Sequence, residues 1–231
     1  MSSRQQSFAR APERSRAGLT LIELLVAMGV LGVLLAALIS LMSGLLGFTR
    51  QASAINQGFS DVNDALGYLT MRVRGAVAVY DGLAVDFPGE ATPFTCSSTG
   101  ITPCFAVLVP IVDRGDGSID DFEVVAYRVL NVGDWDPTFP EGWSGASTPV
   151  LVEYRTAGLC GCDEPPEDVG IPVFGDPVLV VADLAPGLVP FTVRADERLV
   201  TLQLQMRSVN RANIVDSPRD GPLVSEVRTL R

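Results

Sequence analysis

The chain contains no histidine and no lysine; all 17 of its basic residues are arginine. Without histidine there is no histidine-based catalytic triad and no His-ligated zinc site. Without lysine there is no P-loop cation and no Schiff-base nucleophile. These absences remove most enzyme classes and favour a non-catalytic role. Aromatic residues are also few, at 7%, yet hydrophobic residues make up 47% of the 231 positions. That is too apolar for wholesale disorder and long enough for one mid-sized domain plus an extra element.

Positive charge is scarce outside the first residues. Residues 1–18 carry four arginines against Glu13, whereas residues 19–231 carry 13 arginines against 26 acidic residues. A body that acidic repels phosphate backbones, which argues against general nucleic-acid binding.

No charge at all interrupts residues 24–49, where only Ser40, Ser43 and Thr49 are polar, and no proline falls between Pro12 and Pro88. At 1.5 Å per residue, such a helix is about 39 Å long and exceeds the ~30 Å hydrocarbon core of a bilayer. The run reads as a transmembrane helix. Four arginines before it, against Arg50 just after it, place the N-terminus in the cytoplasm and residues 50–231 on the far side. An ordinary secretory signal fits less well. The run is too long for an h-region, it lacks a small-x-small exit site, and Glu23 sits at its start. A carboxylate entering an apolar segment calls for a partner.

The segment Arg16-Ala17-Gly18-Leu19-Thr20-Leu21-Ile22-Glu23-Leu24-Leu25 resembles the class III signal of type IV pilins and type II secretion pseudopilins. The resemblance implies cleavage after Gly18 by a membrane aspartyl peptidase and N-methylation of the new N-terminal Leu19. It also implies that Glu23 pairs with the N-terminal ammonium of a neighbouring subunit; pairing with its own Leu19 amine is the alternative before assembly. Leu19 stands where the family more often has phenylalanine. Implied partners are other minor and major pilins or pseudopilins, the prepilin peptidase and methyltransferase, and the inner-membrane assembly platform with its cytoplasmic ATPase. Within the run, Gly32, Ala36, Ser40 and Gly44 recur every fourth residue. This stripe either lets helices approach closely or reflects ordinary membrane composition.

From Arg50 the pattern turns amphipathic: Ile55, Phe59, Val62, Leu66, Leu69, Val73 and Val77 follow helical steps. They predict a stripe docked on a sheet, with Asp81-Gly82 ending the helix. Beyond it, alternating or apolar runs predict strands at 105–112, 122–130, 150–155, 178–183, 188–194, 199–209 and 224–230. The expected architecture is α+β: a leader over 1–18, a transmembrane and assembly helix over 19–49, an amphipathic helix over 50–82 and a β-rich head over 83–231. Short stretches (Met71–Val77, the strands around Asp121–Val129 and the C-terminal strand) resemble the PilW or pseudopilin J type of minor subunit.

Other motifs carry weaker chemistry. Asp116-Gly117-Ser118-Ile119-Asp120-Asp121-Phe122-Glu123 matches the second half of an EF-hand, but Val112 and Arg114 occupy required ligand positions. It predicts a turn between strands, with Asp113, Asp116, Asp120 and Asp121 as the candidate calcium ligands and no other cofactor expected. Cys96, Cys104, Cys160 and Cys162 fall in the exported head, where disulfides form. Four cysteines allow three pairings; Cys96 with Cys104 is favoured, with Cys160 and Cys162 either forming a tight C-x-C bridge or pairing across instead, and the spacing does not suit zinc. Gly142-Trp143-Ser144-Gly145-Ala146 falls short of a nucleophile elbow. Trp135 and Trp143 read as packing or partner contacts.

Overall fold

The computed structural model describes residues 20–113, 115–135, 147–210 and 213–229, with the backbone alone at 135, 208–210 and 213–215. Two compact units divide between Arg50 and Gln51. One helix, α1 (Leu21–Gly75), contributes to both.

In the first unit α1 is exposed throughout. In the second, α1 buries Gly58, Val62, Ala65, Leu69 and Val73. Steps of three and four put these on one face. The docked face is therefore rotated slightly from the expected stripe. Gly58 takes the contact that Phe59 was expected to make, and Phe59 is 47% exposed. The reason is close approach: a Cβ on Gly58 would lie 3.2 Å from the Ser217 Cβ. The Ser217 hydroxyl also donates to the Ile55 carbonyl at 3.1 Å.

The helix ends at Gly75, not at Asp81-Gly82. Val77 leaves it and donates its N–H to the Leu108 carbonyl at 2.8 Å, starting strand β1 (Ala78–Tyr80). Asp81-Gly82 instead turns the chain between β1 and β2 (Leu83–Val85), with Gly82 at φ +96°. The Ala76–Val79 repeat suits either helix or strand by pattern, and pairing with a central strand decides it.

A five-stranded antiparallel sheet runs in the order β1-β4-β5-β6-β7, where β4 is Cys104–Val112, β5 Ile119–Asn131, β6 Pro149–Arg155 and β7 Val178–Val181. Both of its faces are covered, which explains the continuous apolar run of β4. Phe105, Val107, Val125, Tyr127 and Leu151 face α1. Ala106, Leu108, Val124, Ala126 and Val152 face Phe87 and Phe174. On that second side β2 pairs with β3 (Phe94–Cys96). Arg128 of β5 clamps this hairpin: its guanidinium lies 4.3 Å from the Phe94 ring and bonds Glu90 at 3.0 Å.

A second antiparallel sheet, β12-β9-β8, joins Leu223–Arg228, Leu199–Leu204 and Phe191–Arg194. Its Val200, Leu202 and Leu204 complete the α1 core. The strand expected over 199–209 breaks at Gln205, and its second half, β10 (Met206–Asn210), pairs with β11 (Asn213–Ser217). A single helical turn, α2 (Val132–Trp135), follows β5. The architecture is α+β: a long helix followed by a β-rich head.

Two glycines of α1 give opposite predictions. Gly58→Leu is expected to cost about 1–3 kcal/mol by overpacking against Ser217. Gly67, whose added Cβ meets nothing within 4 Å, is expected to gain about 0.5–1 kcal/mol as alanine. Denaturant unfolding of both variants checks this. A neutral Gly58→Leu would contradict the docking.

Candidate functional site

Gly18 and Leu19 lie outside the described residues; Glu23 lies within them. Thr20 precedes the first helical residue, and its side-chain oxygen faces the Glu23 N–H at 3.4 Å. In return the Thr20 N–H donates to Glu23 Oε2 at 2.9 Å, and the Thr20 hydroxyl lies 3.1 Å from the same oxygen. This is a capping box, and it satisfies orphan donors at the helix start. Its T-x-x-E signature, Thr20 to Glu23, is readable from the sequence.

Behind it, every large apolar side chain from Leu21 to Phe48 is between 50% and 78% exposed. The most apolar 18-residue window has a mean hydropathy of 2.7 and no buried residue. Each such side chain gains roughly 1.5–3 kcal/mol on leaving water, so the segment calls for an apolar surrounding. Along it, Ser40 and Gly44 form a shallow hollow flanked by Ala37, Leu41 and Leu45. Gly32 and Gly44 have open space where a side chain would stand, and Ala36 lies on the same exposed helix.

In the head no three of the four candidate calcium carboxylates group their oxygens within 4.8 Å among the described residues. Asp113 accepts the Gly115 N–H at 2.8 Å, and Asp116 accepts both the Ser118 hydroxyl at 2.7 Å and the Ser118 N–H at 2.9 Å. Both cap the β4–β5 turn. Asp121 turns elsewhere, accepting N–H bonds from Phe122 at 2.7 Å and from Cys160 and Gly161 at 2.9 Å. Asp120 is exposed and joins no group of three ligand atoms among the described residues. The grouping that does occur there is Asp121 with Cys160 and Cys162, within 4.8 Å of one another. Its two sulfurs are bonded to each other and so are not thiolate ligands.

The cysteines pair as Cys96–Cys104 and Cys160–Cys162. The first is fully buried and ties β3 to β4. The second staples an exposed loop whose Gly161 has φ +57°. Gly158 makes room for Asp121: a Cβ there would lie 1.7 Å from Asp121 Oδ2. The N–H of Cys160 first, then that of Phe122, hold the Asp121 carboxyl below its ordinary 3.8. A lowered carboxyl stabilises the fold above its unfolded value, and that contribution is lost as pH falls through the folded value. The Cys160 and Gly161 amide resonances are therefore expected to move with a midpoint below 3.8. A midpoint at or above 3.8 would break the clamp.

Residues 14–39 match the prokaryotic N-terminal methylation motif. The match spans Arg14, Arg16, Gly18, Thr20, Glu23 and the exposed run as far as Ile39. It supports the type IV pilin and pseudopilin family and indicates a structural subunit. Comparison with curated proteins and with solved structures gives no match. A membrane-anchored chain that meets other pilins and a prepilin peptidase fits the motif and the exposed helix together.

One polar cluster of the head escaped sequence reasoning. Glu153 of β6 is buried beneath α1, its carboxylate accepting from the Tyr68 hydroxyl at 2.7 Å and from Arg155 Nε at 2.5 Å. Arg155 also donates to the Tyr68 oxygen at 2.9 Å, and Arg72 does so at 3.3 Å. Burial first, and the negative charge of Glu153 second, push the Tyr127 phenol far up. The signal was present in β6, where Leu151, Glu153 and Arg155 share a face and Leu151 points into the core. The segments holding Trp143 and Ser144 lie outside the described residues, as do the side chains of Trp135 and Arg114.

Proposed function

We propose that the chain is a minor type IV pilin, a structural and assembly subunit. It is cut after Gly18, N-methylated on Leu19 and extracted from the inner membrane into a fibre or its initiating tip, serving motility, adhesion or DNA uptake. The cytoplasmic N-terminus and extracytoplasmic head follow from the arginine bias across the apolar run. The observation that carries this reading is the methylation motif leading directly into an unbroken helix of exposed apolar side chains. Lipid covers that helix first, and neighbouring stems replace lipid on assembly. The small-residue hollow at Ser40 and Gly44 is the place for a neighbouring stem to approach. The head, with its acidic surface and disulfide-tied loops, supplies contacts to other subunits.

Mass spectrometry of the N-terminal peptide, from sheared surface fibres and from membranes, tests this. A methylated peptide starting at Leu19 in sheared fibres is expected. The same peptide confined to membranes would instead favour a J-type pseudopilin of a type II secretion system. An intact Met1 start beside an active peptidase would end the family reading.

A further inference from the structure

The head carries a groove of about 550 Å³ between α1 and the edge of the five-stranded sheet, lined among others by Asp61, Asp64, Ala65, Val178, Val180 and Met206. Strand β7 is terminal in its sheet and bonds β6 alone. On its outer side backbone pairing starts only beyond it. Arg207 donates its N–H to the Asp183 carbonyl at 2.6 Å, and Ala185 donates to Gln205 at 2.8 Å. Ahead of that point, residues 178–182 have no backbone partner on the outer side among the described residues. An unpaired edge with an open groove beside it is a template for another strand.

The charge of the groove says which kind of strand. Asp61 and Asp64 stand one turn apart on the flank of α1, exposed, and neither has an ion-pair partner among the described residues. Arg155 also lines the groove, but its charge is already committed to Glu153, with Tyr68 beside them. The other lining residues named above are apolar. An extended segment alternating basic and apolar side chains matches both, because successive residues of a strand face opposite ways.

We propose that this groove receives an extended, basic segment of a different protein chain, which adds as a strand to β7 and sets its cationic side chains against Asp61 and Asp64. A second copy is disfavoured, since residues 51–231 carry 12 arginines against 25 acidic residues and two such heads repel. The proposal rests on the assembly reading in one respect, that partner subunits share the compartment of the head.

The test titrates the full chain in lipid nanodiscs with a labelled peptide of alternating valine and arginine, against a valine–serine control. Hydrogen exchange is read at residues 178–182. The arginine peptide is expected to protect those amides and to bind about fivefold or more tighter than the control, a preference lost in Asp61→Asn/Asp64→Asn. Equal binding of the two peptides, or no protection at 178–182, would overturn the proposal. Protection that rises with protein concentration in the absence of peptide would assign the edge to a second copy and overturn it too. Concentration-independent protection without peptide would mean that the chain covers its own edge, with the same consequence. Peptide binding requires neither processing nor fibres, so failure here leaves the N-terminal mass result standing, and the converse holds.

Discussion

Glu23→Ala is expected to lower incorporation into fibres by about tenfold or more, while cleavage after Gly18 continues. Two roles of Glu23 contribute to that loss and have different sizes. As the distal half of the capping box it satisfies the Thr20 N–H, a bond that alanine cannot replace. As a carboxylate at the lip of an apolar helix, it is proposed to attract the ammonium of a neighbouring subunit in a low-dielectric setting. Losing one member of such a pair costs more, because the other charge is left without a partner in an apolar setting. Glu23→Gln separates the two, because glutamine completes a capping box but carries no charge. Quantitative immunoblotting of sheared fibres and of membranes is the readout. If the glutamine variant assembles like the parent, charge pairing is wrong and the cap alone explains the residue. If it fails like alanine while its processed form accumulates in the membrane, the charge is what assembly uses.

The parts of the fold legible in the sequence are those encoded locally. The apolar run from Leu24 to Thr49 needs no tertiary knowledge, and strands such as β9 announce themselves by alternation, Val200, Leu202 and Leu204 being buried. Boundaries set by pairing were not legible. Ala76–Val79 follows the helix in pattern but is claimed by β4, and Gln205 splits one apparent strand between two sheets. On α1 the expected Val62, Leu69 and Val73 are buried, but Gly58 replaces Phe59 at the closest contact, and glycine carries no hydrophobic signal. The Asp116–Glu123 motif was legible as a turn between two strands, and β4 and β5 do pair across it; the place of Asp121 was not legible. Asp121 lies two residues into β5, yet besides the adjacent Phe122 its carboxylate is held by Cys160 and Gly161, about forty residues away.

The buried cluster under α1 supplies the second large effect. Glu153→Ala is expected to destabilise the head by about 2–4 kcal/mol, less than a fully buried ion pair because Arg155 is itself 45% exposed. The loss has three sources. The Tyr68 hydroxyl loses its 2.7 Å acceptor where water has little access, Arg155 loses its anchor, and a void opens between β6 and α1. Glu153→Gln keeps the volume and an acceptor for Tyr68, so about 1–2 kcal/mol is expected there. Tyr68→Phe belongs in the same range, since it removes the oxygen on which Glu153, Arg72 and Arg155 converge. Because these groups share one oxygen, the double variant Tyr68→Phe/Glu153→Gln should cost less than the sum of its parts. Denaturant unfolding of the four variants in detergent measures each step. Additive losses would show that the groups act independently, and an alanine variant within about 1 kcal/mol of the parent would show that α1 is held by its apolar face alone. That distinction bears on assembly, because the same residues form one end of the groove beside β7. A head whose helix loosens there would also lose the edge against which a partner strand is proposed to pair.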